Sequence, residues 1–532
     1  MNQQIIAAID IGTNSIHMAV VEIEPSLPSF TVIAKEKDTV RLGDRDSSTS
    51  ALTPEAIDRA LAALRRCHEL AISLEADRII AVATSATREA PNGEAFLRQI
   101  EAELGIVVNL ISGREEARRI YLGVLSGMEF NEQPHIIIDI GGGSTELILA
   151  DVHEARFLSS TKVGAVRLAK EFVTTDPISD SELKILRAYV RGMLERSVDE
   201  IWQNLQLNEI PRAIGTSGTI ETIAQIHALD ELGSIPEPLN GYEVSFKDIE
   251  RIVKRLIKMS YRERLEVSGL ADKRAEIMVP GAVILLEAMS MLKLNSLAVC
   301  ERALREGIIV DWMLTRGLID SRLRYQNEVK QRNTLKIAHK YHVDLDYSRR
   351  VAKFALTIFD RLQGVLHSWD TSERDLLWTA AILHNCGIFV SHSAHHKHSY
   401  YLIRNAELLG FTELELELIA NIARYHRKSK PKKKHEPYNN LPHKQDRLLV
   451  RQLSAILRIA VALNRRHQGA IAEIFCQYNS DKRTLNLLLQ PTEVGDECAL
   501  ELWDLNYKKE MFEEEFNVKL TTTISQDLSV AS

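Results

Sequence analysis

Cysteine is scarce in this sequence. Five thiols in 532 residues (Cys67, Cys300, Cys386, Cys476 and Cys498) stand far apart, with neither disulfide-framework nor metal-ligand spacing. That excludes a disulfide scaffold and points to a reducing compartment. No apolar run approaches the roughly 18 residues of a membrane-spanning helix. The first residues lead straight into a strand pattern, with no basic leader or cleavage site. The expectation is a cytoplasmic protein that does not engage a membrane. Positive charge is also in deficit, with a net charge of −7. The chain as a whole is therefore no polyanion binder, and any such binding needs a local basic patch. What remains, 45% hydrophobic and 26% charged residues, is an ordinary globular composition. At 532 residues the chain is too long for one core, so several domains are expected.

Two short stretches dominate the N-terminal half: Ile9-Asp10-Ile11-Gly12-Thr13-Asn14-Ser15 and Ile138-Asp139-Ile140-Gly141-Gly142-Gly143-Ser144-Thr145. Each follows one short apolar run and precedes another, the pattern of a β-hairpin with a tight polar turn. Glycine lets backbone N–H groups approach an anion, and Ser, Thr and Asn add donors. Gly12, Thr13, Asn14, Ser15, Gly141, Gly142, Gly143, Ser144 and Thr145 are therefore candidate phosphate ligands. Asp10 and Asp139, opening the turns, are acceptors suited to Mg²⁺. The repeat suggests a duplicated domain with a phosphate clamped between its halves.

Further signals fall between and after these turns. Thr53-Pro54-Glu55 opens a helix with a Thr cap and Pro at its first position. A strand at Ile79–Ala83 runs into Thr84-Ser85-Ala86-Thr87-Arg88-Glu89, followed by a helix near Gly93–Leu104 and a strand at Ile106–Ile111. Ser112-Gly113-Arg114-Glu115-Glu116-Ala117-Arg118 opens another helix, with Ser112 and Glu115 spaced as a capping box. Taken alone, Glu116 also suits a solvated helix face, paired with Arg119 or Tyr121, and Arg88 suits a bond to Glu89 or a helix end. Ala213-Ile214-Gly215-Thr216-Ser217-Gly218-Thr219 is a third Gly/Ser/Thr turn between strand and helix. Its Gly215, Ser217, Gly218 and Thr219 either help bind a phosphate chain or simply make the turn. Helices are expected at Phe246–Tyr261 and Ala275–Leu292, a strand at Leu297–Val299, and a helix entered through Glu301-Arg302-Ala303-Leu304-Arg305-Glu306-Gly307.

These motifs, in this order, resemble the exopolyphosphatase / guanosine pentaphosphate phosphohydrolase family within the actin-like ATPase superfamily, from residue 5 to about residue 460. The resemblance implies an α/β protein with two duplicated actin-like (ribonuclease H-like) domains, 1–125 and 126–316. An all-α HD-like domain follows over 317–470, then a small α+β domain over 471–532, whose strands are expected at Leu485–Leu489 and Ala499–Leu502. It implies Glu116 as the general base that activates water, Arg88 as a cation at the transferring charge, and Mg²⁺ or another divalent cation at Asp139, Glu146 and Asp10. A monovalent cation is a further candidate cofactor, and a homodimer the implied assembly.

From about Gly317 glycine falls and helical periodicity continues. Trp378-Thr379-Ala380-Ala381-Ile382-Leu383-His384-Asn385 resembles the core of an HD domain, but Asn385 stands where that motif has Asp. An amide lacks the charge a metal pair needs, so the HD resemblance does not carry a catalytic metal to this position. Arg427, Lys428, Lys430, Lys432, Lys433 and Lys434 form a basic run inside an acidic chain. The run suits the distal part of a long polyanion, or else is a solvated loop. Aromatics for base stacking are sparse there, which disfavours nucleic acid. The resulting expectation is an exopolyphosphatase that processively removes terminal orthophosphate from inorganic polyphosphate. The alternatives are hydrolysis of guanosine pentaphosphate, an actin-like kinase, or a non-catalytic polyphosphate or alarmone sensor.

Overall fold

The computed structural model describes residues 4–24, 29–46, 48–130, 133–319, 329–406, 408, 411 and 413–525. The expected boundary after residue 316 adjoins 320–328, which lie outside them. The chain divides into two compact units, Met1–Val329 and Lys330–Ser532.

The first unit holds two sheets. One contains β1 (Gln4–Ile11), β2 (Ile16–Glu24), β3 (Ser29–Asp38), β4 (Arg78–Ala83) and β5 (Val108–Leu110), in the order β3-β2-β1-β4-β5. The other contains β6 (His135–Ile140), β7 (Thr145–Ala150), β8 (Ala155–Thr161), β9 (Arg212–Thr216), β10 (Glu243–Ser245) and β11 (Ser296–Val299), in the order β10-β11-β9-β6-β7-β8. β1 pairs antiparallel with β2 and parallel with β4, and β6 pairs antiparallel with β7 and parallel with β9. The second sheet thus repeats the first, with one added edge strand, as the actin-like resemblance implies.

Strand period sets the layers. Ala7, Ile9, Ile11, Ile16, Met18 and Val20 pack outward against the helices Pro54–Ser73 and Gly93–Leu104. Ile138, Ile140, Leu147 and Leu149 face a second outer group, the helices Asp180–Asn204, Gly218–Leu232, Phe246–Lys258 and Met278–Met291. The alternate residues (Ile6, Ala8, Ala19 and Val21 in one sheet, Ile137 and Ile148 in the other) share a middle core with helices Gly113–Leu125 and Leu304–Thr315. Those two helices cross so closely that a Cβ on Gly123 would lie 1.9 Å from the Ala303 carbonyl, and one on Gly307 1.7 Å from that of Arg119. Period two therefore sends Asp10 and Asp139 inward, to the middle layer.

Local signals position the helices. Thr53 Oγ1 accepts from the Ala56 N–H at 3.3 Å, and Ser179 with Glu182 closes a capping box. Ser112 caps its helix at Glu115 N, but the Glu115 carboxylate turns to Arg118 and Arg119 instead of completing the box. Opposite charge three and four residues on outcompetes a second cap bond. The helix expected over Phe246–Tyr261 stops at Lys258, because Ser260 caps a new short helix, Tyr261–Leu265.

Among its described residues up to Leu463 the second unit is built of helices, and it ends in a three-stranded sheet, β12 (Ile471–Asn479), β13 (Thr484–Pro491) and β14 (Lys519–Ile524), in that order. The strand expected at Ala499–Leu502 is instead the first turn of helix Ala499–Phe516. Its short apolar–acidic alternation mimics a strand, but Leu505, Phe512 and Phe516 continue a helical apolar stripe into the core. One hydrophobic cluster runs from Ile337 to Leu520, so the segments expected as separate domains, 317–470 and 471–532, share a core. No helix of the described residues is long and apolar enough to cross a membrane.

Candidate active site

Both hairpin turns close with the same bond. Gly12 N–H donates to the Ser15 carbonyl at 3.1 Å, and Gly141 N–H to that of Ser144 at 2.9 Å. The turns then meet. A Cβ on Gly143 would fall 2.3 Å from Ser85 Oγ and 2.7 Å from Thr13 Oγ1, so only glycine lets the two approach. Thr13 and Ser85 hydroxyls bond each other at 2.9 Å. Across the join, Arg167 donates to the Glu89 carboxylate at 2.8 Å and to the Gly143 carbonyl at 3.1 Å.

Between the turns lies a cavity of about 180 Å³. It collects Asp10, Asp139, Glu146 and Glu116, together with Gly12–Ser15, Gly141–Ser144, Ser217, Gly218 and Thr219. Each carboxylate comes from a different place: Asp10 from the end of β1, Asp139 and Glu146 from facing positions of β6 and β7, and Glu116 from the middle-layer helix. Glu116, Asp139 and Glu146 are buried. Burial, above all, raises the proton affinity of all four acids; repulsion from others of the set adds to it at Asp10, Glu116 and Glu146, and from Glu221 at Asp139.

Glu116 is not on a solvated face. Its Oε2 accepts from Arg88 Nη1 at 3.2 Å, while Arg119 is taken by Glu115 and Asp311. Arg88 also donates to the Ile111 carbonyl at 2.7 Å and does not line the cavity. Both of its bonds hold the start of the Glu116 helix, so Arg88 supports Glu116 here. Two candidate phosphate ligands are misplaced. Thr145 and Gly215 lie on the outward strand face; the Thr145 hydroxyl donates to the Val163 carbonyl at 2.6 Å, and Gly215 packs on Leu297 and Ile220. Ser217 lines the cavity, but its hydroxyl donates to Asp139 Oδ1 at 2.6 Å. Its backbone sits at φ 75°, ψ 159°, a region other residues leave to glycine.

The sequence reading missed the cations. Lys37, Arg274 and Arg305 line the cavity, with His17 and Glu221 beside them. Cross-strand register explains two of these: Asp10 faces His17, and His17 faces Lys37. The hairpin turn length alone would have paired Asp10 with His17. Burial, then the neighbouring Arg305 and Lys37, keep His17 neutral.

The donor set suits a hard divalent cation. Asp10 Oδ1 is buried with no hydrogen-bond partner, and four acids share a cavity in which burial disfavours their charge. No three of them close into a ligand cage. Among the described residues, the one trio with ligand atoms within 4.8 Å of one another is His227, Glu231 and Asp248, away from this cavity and paired with Tyr242 and Arg251. Mg²⁺ typically takes one or two carboxylates and completes its shell with water and phosphate oxygens, so an open acidic set is what it needs.

In the second unit, the basic run is only partly free. Lys430 is bound to Glu510 and Glu514, and Arg427 donates to His395, while Lys428, Lys432, Lys433 and Lys434 are exposed.

Two lobes of repeated topology close glycine-rich turns on an acidic, cation-rimmed cavity, an arrangement suited to a phosphoryl group. Residues 19–316 match the Ppx/GppA phosphatase family and residues 329–509 match Ppx/GppA phosphatase, domain III. The chain belongs to the Ppx/GppA phosphatase family. It is similar to an exopolyphosphatase from Cytophaga hutchinsonii (28% identity over 60% of this chain and 100% of that one, TM-score 0.55). A Ppx/GppA family member from Aquifex aeolicus is also similar (26% identity, 59% and 99% covered, TM-score 0.51). So is an exopolyphosphatase-like protein (27% identity, 59% and 98% covered, TM-score 0.53).

Proposed function

We propose that the protein is an exopolyphosphatase that releases terminal orthophosphate from inorganic polyphosphate, by attack of water activated by Glu116. One observation carries the reading: a buried carboxylate, fixed by Arg88, faces a cavity whose walls are backbone-donor turns. The N–H groups and hydroxyls of Gly12–Ser15 and Gly141–Ser144 grip the terminal phosphoryl oxygens. Lys37, Arg274 and Arg305 neutralise the chain behind them. Glu116, whose proton affinity burial raises and Arg88 lowers, takes the proton of the attacking water. Ser217 orients Asp139. Asp139, Glu146 and Asp10 would hold Mg²⁺, which when bound supplies positive charge where phosphoryl oxygens become more negative.

In the second unit, Lys428, Lys432, Lys433 and Lys434 are proposed to attract the distal chain, and a homodimer is the proposed assembly. The cavity lining includes no Phe, Tyr or Trp, which favours an all-phosphate ligand at that depth over a purine. Orthophosphate release from long-chain polyphosphate and from guanosine pentaphosphate, with Mg²⁺, ranks the substrates. Glu116→Gln is expected to lower turnover by about 10²–10⁴-fold, the usual worth of a general base. Turnover surviving in Glu116→Gln would refute the assignment, and a preference for guanosine pentaphosphate would replace the substrate.

A further inference from the structure

The second unit contains a small, nearly enclosed cavity of about 170 Å³, separate from the exposed lysine run. Three cations line it: Lys397 on helix His395–Arg404, Arg424 at the end of helix Glu413–Arg424, and Arg427 in the following loop. No carboxylate lines it, and none among the described residues is ion-paired with any of the three. Glu417, on the second of these helices, is taken by Arg404, Tyr400 and Asn421. The Arg424 guanidinium sits over the rings of Tyr400 and Tyr425, 5.3 and 5.9 Å from their centres, and bonds the Tyr425 hydroxyl, which fixes it at the cavity wall.

The remaining lining consists of donors. His396 is 6% exposed, and its Nδ1 is buried without any hydrogen-bond partner. Burial and the neighbouring Arg427 and Lys428 push its pKa down to about 4, so near pH 7 the ring is neutral and carries one N–H. His435 has Nδ1 occupied by the Tyr425 hydroxyl at 3.0 Å, leaving Nε2 for the cavity, and Ser429 adds a hydroxyl. A buried imidazole nitrogen with nothing to bond is costly unless a ligand meets it.

We propose that this cavity binds a single tetrahedral phosphoryl group, held by Arg424, Arg427 and Lys397 with His396 as a neutral donor. The ligand class follows from charge and size. Three uncompensated cations call for a multiply charged anion, and a planar fork such as Arg424 fits a pair of phosphoryl oxygens. The cavity, about 170 Å³, has room for a phosphoryl group. Free orthophosphate and a chain terminus share this chemistry. The site does not depend on the reaction proposed for the first unit.

The test is equilibrium binding of labelled orthophosphate to the full chain at fixed chloride concentration. Wild type is expected to bind one equivalent more than Arg424→Gln. Lys397→Gln, at an exposed position where folding is not at stake, is expected to weaken that equivalent at least tenfold. His396→Gln is expected to weaken it as well. If Arg424→Gln fails to fold, Lys397→Gln decides alone. Equal stoichiometry and affinity in wild type and Lys397→Gln would overturn the proposal. Tripolyphosphate serves as the second probe: displacement of the bound orthophosphate assigns the site to a chain terminus, and failure to displace assigns it to free orthophosphate.

Discussion

The two hairpins of the first unit share a backbone and differ in the row of side chains they carry. Both turns close from glycine N–H to serine carbonyl, and in both the aspartate before the turn faces the middle layer. Across the strands, however, Asp10 faces His17 and then Lys37, whereas Asp139 faces Glu146 and then Ser160. The first row begins acidic and ends in a cation at the cavity mouth. The second pairs two carboxylates, with Ser160 donating to Glu146 at 2.7 Å and Ser217 to Asp139 at 2.6 Å. Duplication therefore supplied one geometry twice, and the residues opposite each aspartate assigned the copies different charges. The second copy thus pairs two acids where the first pairs an acid with a row that leads to a cation.

Exchanging the rows tests this division most sharply. Glu146→His, which gives the second hairpin the first one's row, is expected to cut turnover by about 10²–10³-fold, the scale of losing one fixed electrostatic partner. It should also raise the Mg²⁺ concentration needed for activity. His17→Glu, the reverse exchange, should act mainly on KM, by repelling phosphate near Lys37. Equal effects on turnover and metal requirement from both exchanges would erase the distinction. Lys37→Gln is the next smaller perturbation. Loss of one charge-assisted contact should raise KM for polyphosphate about tenfold with turnover kept, and the difference should shrink in high salt. A fall in turnover at constant KM would contradict a mouth-binding role.

Ser217 sharpens the acidic side. Ser217→Gly removes the bond to Asp139 and also the strain of φ 75°, worth about 1–3 kcal/mol, so its melting temperature should not fall below wild type. Ser217→Ala removes the bond but keeps the strain, and should melt lower. Both should need more Mg²⁺ than wild type. Identical melting of the two variants would argue against stored strain.

The smallest effect contrasts the buried acids of the first unit with the buried imidazoles of the second. Burial lowers His384 to about 4 and holds His426 well below its usual range. With folded pKa values below the unfolded value of about 6.5, the native state binds fewer protons between roughly pH 4 and 6.5. Stability of the second unit should thus be full above about pH 6.5 and fall as the pH drops through that window. Denaturant unfolding followed at Trp378 should show the loss, and His384→Asn should flatten it. A midpoint independent of pH would exclude charged histidine as the cause.

Much of the first unit was legible because its signals are local. Turn residues, caps and strand period are set within a few residues, so the hairpins and the Thr53 cap followed from neighbours alone, and period two accounts for the inward Asp10 and Asp139. Period two also contained the correction to Thr145: with Glu146 inward, its neighbour must face out. By contrast, Ala499–Leu502 read as a strand because four residues of alternation do not separate the two periods, and only the stripe ending at Phe516 does.

What the sequence determined by itself was the duplicated glycine-rich hairpin, with Asp10 and Asp139 at its turns, and one basic run inside an acidic chain. Each depends on composition and short spacing, whereas the roles of Glu116 and Glu146 came from the family resemblance. The tertiary structure alone decided that Arg88 supports Glu116, that Ser217 is spent on Asp139, and that Lys37, Arg274 and Arg305 rim the same cavity. Those assignments join residues from separate strands and helices, and the packing that brings them together depends on the whole core rather than on any stretch of chain.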